Sequence, residues 1–186
     1  MEDEELVKRA RKGNAAAFQQ LAERYYPAVE RFAYQLGNRQ EDVKDVAQEV
    51  FLRVYRFLDQ FSQAKFSTWL YKITLNVTRD MARKRNSSLK KIWKLQQDYK
   101  EEYEEVEGSL LQDEKSRELH ACIQKLDEKY KVPIILFYFH EKKYEEIADI
   151  LSLTLSTVKT RILRGKALLK KSLEEKKRKE GDFNER

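Results

Sequence analysis

The chain is short of the residues that interrupt helices. It carries 5 Gly and 2 Pro in 186 residues, where average usage gives roughly 13 and roughly 9. That scarcity excludes a turn-rich β sandwich, a collagen-like repeat and Pro/Gly-rich disorder. One cysteine, Cys122, allows no internal disulfide and fits a reducing compartment. Long apolar runs are missing too. The longest, Val132 to Phe139, is core-sized and contains Pro133, far short of the roughly 18 residues of a membrane span. The N-terminal stretch MEDEELVKRARKG is charged from its second residue, so no signal peptide is expected. These absences predict an all-α, cytoplasmic chain without membrane insertion, built as one domain or two small ones.

Charge is abundant: 38 Lys and Arg against 32 Asp and Glu, a net of +6. Where it lies matters more than its total. From Arg79 to Lys94 seven cations face Asp80 alone, and from Ser156 to Lys179 ten cations face two glutamates. Between them Asp98 to Glu107 holds six acids and one lysine. This layout predicts two small helical domains, residues 1–95 and 113–175, joined by a flexible acidic linker at 96–112. Residues 176–186 lack periodic apolar positions and are expected as a frayed helix end and charged tail.

Residues 41–58, EDVKDVAQEVFLRVYRFL, carry the clearest helical period. Val43, Val46, Ala47, Val50, Phe51, Val54, Phe57 and Leu58 form one apolar stripe. At about 100° per residue, Asp45, Gln48, Glu49 and Leu52 gather on the opposite side. Periodicity allows two readings of Leu52: an isolated exposed apolar residue, or the centre of a docking patch with a polar rim.

The next helix is expected within KFSTWLYKITLNVTRDMARKR, capped by Ser67 or Thr68, with Leu70, Ile73, Thr74, Val77 and Met81 inward. Its outer face carries Lys72, Asn76, Arg79 and Arg83, and Phe61, Phe66, Trp69 and Tyr71 cluster at its start. Cations at helical spacing can neutralise successive phosphates, and aromatic rings can stack on unpaired bases. The competing reading makes the aromatics core and the cations solvated.

Residues 144–171, YEEIADILSLTLSTVKTRILRGKALLKK, read as a helix-turn-helix. A short helix from Tyr144 to Leu151, with Ile147, Ala148 and Leu151 inward, is followed by a turn from Ser152 to Leu155. A second helix then starts with Ser156 as N-cap and Val158, Ile162 and Leu169 inward. The preceding KLDEKYKVPIILFYFH supplies an apolar helix to pack beneath the pair. The second helix presents small, hydroxyl and cationic side chains outward, which suits a DNA major groove. His120, Cys122 and His140 show no metal-ligand spacing, and no Walker, GxSxG or HExxH motif occurs, so neither a cofactor nor an enzyme is expected.

Together EDVKDVAQEVFLRVYRFLDQF, KFSTWLYKITLNVTRDMARKR and YEEIADILSLTLSTVKTRILRGKALL resemble the extracytoplasmic-function type of RNA polymerase sigma factor, over about Glu5 to Leu173. The resemblance implies a transcription initiation factor, catalytically inert by itself, that directs core polymerase to two-part promoters in response to envelope or other stress. It assigns Asp45, Gln48, Glu49 and Leu52 to docking on the β′ coiled coil of core RNA polymerase, which the chain would engage together with the β subunit. It assigns Phe61, Ala64, Lys65, Phe66, Trp69, Lys72, Asn76, Arg79 and Arg83 to single-stranded −10 DNA, with Asn76 at a pocket for a flipped-out base. Ser156, Thr157, Lys159, Thr160, Arg161 and Arg164 match positions that face the −35 element. An anti-sigma factor is the implied regulatory partner, and the acidic linker is expected towards the RNA exit channel. Two departures stand out: the linker is unusually acidic, and the turn SLTLS has no Gly, Asn or Pro. The alternatives are a helix-turn-helix regulator with an N-terminal dimerisation or sensor domain, and a helical interaction protein.

Overall fold

A computed structural model of the chain describes residues 2–61, 65–93 and 114–184. The expected linker at 96–112 and Ala64 lie outside the described residues. Among those described, every regular element is helical. They fall into two compact units: Met1–Tyr34 with Asn38–Gly108, and Ser109–Arg186 with Gln35–Gly37.

The first unit holds α1 (Asp3–Arg11), α2 (Ala15–Gln35) as far as Tyr34, α3 (Val43–Phe57) and α4 (Phe66–Trp93). Gly13 makes the sharp break between α1 and α2 with φ +84°, a region that a side chain disfavours. Asn14 then accepts from the Ala17 amide at 2.9 Å and satisfies one free donor of the α2 start. The core is one apolar cluster that includes Leu6 of α1, Leu21 of α2, Val46, Val50 and Val54 of α3, and Leu70 and Val77 of α4. The stripe read from the sequence is therefore the core face of α3.

Two details of that segment differ. Single 3-10 turns, Gln40–Asp42 and Leu58–Gln60, replace the ends of the expected 41–58 helix. Phe57, expected inward, is 39% exposed, because it lies at the edge of the stripe and on the last residue of α3. Helix α4 starts at Phe66, where the Trp69 amide bonds the Lys65 carbonyl at 3.2 Å. Ser67 and Thr68 thus stand inside the first turn rather than capping it. Tyr71, Leu75 and Thr78 are buried beside the expected inner face, since α4 is covered on more than one side; Tyr71 meets Phe32 of α2 at 5.0 Å. Burial pushes the Tyr71 hydroxyl pKa up to about 12. Two of the buried polar side chains bond to backbone carbonyls: Thr74 donates to the Leu70 carbonyl at 2.9 Å, and Asn38 to the Ala33 carbonyl at 2.7 Å.

The second unit holds α5 (Glu114–Gln124), α6 (Glu128–Tyr138), α7 (Tyr144–Leu151) and α8 (Leu155–Asn184). Asp127 caps α6 through the Lys129 amide at 3.0 Å. Val132, Ile134, Ile135 and Leu136 of α6 form its centre with Ile147 and Ile150 of α7 and Val158 and Ile162 of α8. Ala148 and Leu151 are only half-buried, and Ile150 takes the inward place instead. Gly165 lets α8 approach α6 closely, for a Cβ there would stand 2.6 Å from Ile134 Cδ1.

The turn between α7 and α8 resolves its missing glycine by strain. Ser152 takes the left-handed conformation, φ 54° and ψ 48°, while the Leu153 amide closes on the Ala148 carbonyl at 2.9 Å. Ser152→Gly is therefore expected to stabilise this unit by about 0.5–1 kcal/mol, the relieved Cβ strain exceeding the added unfolded-state entropy. Chemical denaturation that shows no gain, or a loss, would contradict this. Helix α8 also begins two residues earlier than expected: Thr154 Oγ1 accepts from the Thr157 amide at 3.3 Å, so Thr154 and not Ser156 caps it. At its other end α8 continues to Asn184, so the helical part of the expected helix end and tail reaches that point.

Candidate functional site

On α3, Asp45, Gln48 and Leu52 stand exposed opposite the core stripe, Leu52 at 62%. Glu49 is half-buried and tied to Arg53 Nε at 2.8 Å, so it is not the free rim carboxylate that spacing suggests. The patch is larger than expected, because Tyr55 is 64% exposed one turn beyond Leu52, its ring edge-on to Phe18 at 5.1 Å. The angular arithmetic that isolates Leu52 also puts Tyr55 about 60° from it, so the signal was present in the sequence. An apolar centre of Leu52 and Tyr55 edged by Asp45 and Gln48 has the make-up of a protein-docking patch.

Around the start of α4 the aromatics sort by burial. Phe66 is 5% exposed and belongs to the core, so it cannot offer a face to a base. Its role is support, since Phe61 and Trp69 lean on it with ring centroids at 6.1 Å each. Those two are half-buried and 5.2 Å apart. Further along, Lys72, Asn76 and Arg83 are exposed and Arg79 is half-exposed, with Lys65 exposed just before the helix. The one acid in this stripe, Asp80, is drawn back by Arg53 Nη1 at 2.8 Å. That hydrogen bond holds the Asp80 carboxyl below the usual carboxylate range and raises the guanidinium pKa in turn. Asp80 also lies 3.7 Å from Arg83 Nη2 of the stripe itself, so an anionic strand along this face meets Lys72 and Arg79, and Arg83 beside an acid already bonded from α3.

In the second unit Ser156, Lys159, Thr160 and Arg164 are exposed along the start of α8, and Thr157 and Arg161 are half-buried. Lys159 Nζ lies 5.8 Å from the Tyr144 ring, which stacks on Phe137 at 4.9 Å. Ser156, Thr157, Thr160, Arg161 and Arg164 line a cleft of about 400 Å³ whose other wall is Lys129 and Tyr130 of α6. These two wall residues are missing from the sequence reading, because nothing in the local pattern of α6 links them to a helix 27 positions later. Three cations and several hydroxyls in one concavity fit a phosphate backbone. Leu163, 71% exposed among them, offers the apolar contact that a thymine methyl can use.

Among the described residues no group of three His, Cys, Asp or Glu could hold a metal ion, and no helix is long and apolar enough to cross a membrane.

The chain is similar to known proteins in sequence and fold. Residues 21–88 match the family model for Sigma-70 region 2, and residues 116–169 that for Sigma-70, region 4. The chain is 34% identical to the ECF RNA polymerase sigma factor SigW of Bacillus subtilis, over 90% of this chain and 94% of that one. It is 31% identical to the ECF RNA polymerase sigma-E factor of Escherichia coli K12, over 88% and 90% of the two chains. Among solved structures, CnrH in complex with the cytosolic domain of CnrY aligns with a TM-score of 0.72 at 28% identity, over 92% of this chain and 97% of that one. The sigma factor RpoE, in complex with the anti-sigma factor NepR from Bartonella quintana, shares the fold with a TM-score of 0.68 at 22% identity, over 84% and 96%.

Proposed function

Because this chain belongs to the extracytoplasmic-function RNA polymerase sigma factors, we propose that its two units divide promoter recognition between an unpaired strand and a duplex. The protein is a transcription initiation factor that brings core RNA polymerase to promoters. In our reading, residues 1–95 dock on the polymerase and capture the −10 element, and residues 113–175 read the −35 element.

The observation that carries this reading is the α4 face. Lys72, Asn76, Arg79 and Arg83 run beside Phe61 and Trp69, cations for phosphates next to rings for bases. Duplex DNA hides its base faces, so such a surface suits a separated strand. Each stacked base contributes about 1–3 kcal/mol, which favours the melted state. The cleft of Lys129, Arg161 and Arg164 fixes register on duplex phosphates, while Lys159 and Thr160 reach base edges. Docking falls to Asp45, Gln48, Leu52 and Tyr55, against the β′ coiled coil of the polymerase. An anti-sigma factor that covers these faces accounts for regulation, and bond formation stays with the polymerase. A regulator with an N-terminal sensor domain would have no use for the α4 face.

Run-off transcription with purified core enzyme tests the whole reading. Promoter-dependent transcripts are expected from a genomic library only when the chain is added; no transcript and no core binding would sink it. Within that assay, Asn76→Ala is expected to lower open-complex formation about tenfold with core affinity unchanged, a loss of about 1.4 kcal/mol. Unchanged permanganate reactivity at the −10 region would remove Asn76 from the strand-capturing surface.

A further inference from the structure

Helix α1 precedes the segment that matches the region 2 model, which begins at residue 21, yet it reaches both flanks of the aromatic cluster. Asp3, Val7 and Arg11 fall at i, i+4 and i+8, on one face of the helix. Val7 is buried together with Leu6 and Ala10, which sets how α1 lies on the unit. From there Asp3 accepts hydrogen bonds from the Tyr25 hydroxyl and the Arg24 guanidinium. The Tyr25 ring in turn stands against Phe66 at 5.4 Å. About 12 Å along the helix, at 1.5 Å per residue, Arg11 Nη2 donates to the Asp59 carbonyl at 3.1 Å. Asp59 lies in the 3-10 turn that delivers Phe61, whose amide closes that turn on Leu58.

The two contacts have one consequence. Phe61 enters the cluster from the Asp59 side, and Trp69 enters from the Phe66 side, where the helix begins. Tyr25 backs Phe66, and Phe66 supports both rings. Burial, then the bond to Asp3, raises the Tyr25 pKa above its ordinary value. Rings fixed before a base arrives lose less freedom on binding.

We propose that α1 braces the strand-capturing cluster, with Asp3 and Arg11 as positioning residues that hold Phe66 and Asp59, and through them Trp69 and Phe61. This rests on the reading of the α4 face as the −10 surface. The brace acts on the single strand and leaves polymerase docking alone, because the docking patch lies on the opposite side of α3 from the core.

The test uses full-length chain with core polymerase and a fluorescent single-stranded oligonucleotide selected for binding to the wild-type holoenzyme. The double variant Asp3→Asn/Arg11→Met is expected to bind it five- to tenfold more weakly, with core affinity within twofold of wild type. Arg11→Lys keeps a donor for the Asp59 carbonyl and should restore most of the Arg11 share. Tyr25→Phe keeps the ring and loses the hydroxyl bond, so a two- to fourfold loss is expected; it decides the question if the double variant does not fold. A change under twofold, or a parallel fall in core affinity, overturns the brace. Asn76→Ala serves as the reference. If it too binds normally, the α4 reading has failed; if it alone binds weakly, only the brace has.

Discussion

Replacing Leu52 by Asp is expected to lower affinity for core RNA polymerase by at least about 100-fold while leaving the helical content of the chain unchanged. The asymmetry follows from exposure. In the free chain Leu52 is 62% exposed, so the substitution buries nothing and costs only about 0.5 kcal/mol of helix propensity. In the docked complex that we propose, the same position is the apolar centre of the patch, and a carboxylate there is desolvated without a partner, at a cost of about 3–5 kcal/mol. Pull-down or anisotropy titration against core enzyme measures the first quantity and circular dichroism the second. Tyr55→Ala should weaken binding in the same direction, since Tyr55 borders Leu52. Intact core binding by the Asp variant would move the docking surface off this face of α3.

The second large effect concerns α8. The double variant Arg161→Ala/Arg164→Ala is expected to weaken holoenzyme binding to a −35 duplex by roughly 10- to 100-fold near physiological salt. Both arginines line the cleft shared with Lys129, and each cation that neutralises a phosphate steepens the salt dependence. Removing two should reduce the slope of log K against log salt by about 2. A loss of affinity that leaves that slope unchanged would mean that the arginines read bases or support the fold. Because Arg161 is half-buried, the melting transition of the variant separates the last case. Arg164→Ala alone, at an exposed position, should lower the slope by about 1.

Much of this was legible from spacing. The α3 stripe, the inward residues Leu70, Thr74 and Val77 of α4, and the α7–α8 pair all follow from a 3.6-residue period, because each helix has one face to bury. What misled was local. Phe66 looked like a stacking residue because aromatics near cations suggest it, but its burial depends on α2, which places Tyr25 against it. Glu49 looked free on a helical projection, while Arg53 is drawn between it and Asp80, 31 residues apart. Ser156 looked like a cap because serine favours that role, and Thr154 precedes it by two residues with the same chemistry.

The sequence by itself determined which faces are apolar and which are charged, since side-chain chemistry at fixed helical intervals depends on no other part of the chain. It thereby determined the outward side chains from which we propose the DNA and docking surfaces are drawn. Only the tertiary structure decided which of those residues work together. The cleft needs α6 beside α8, the quiet acid at Asp80 needs α3 beside α4, and the bracing of Phe61 and Trp69 needs α1 laid across the unit. Each is a contact between residues far apart in the chain, and the helical period carries no information about which helix lies next to which.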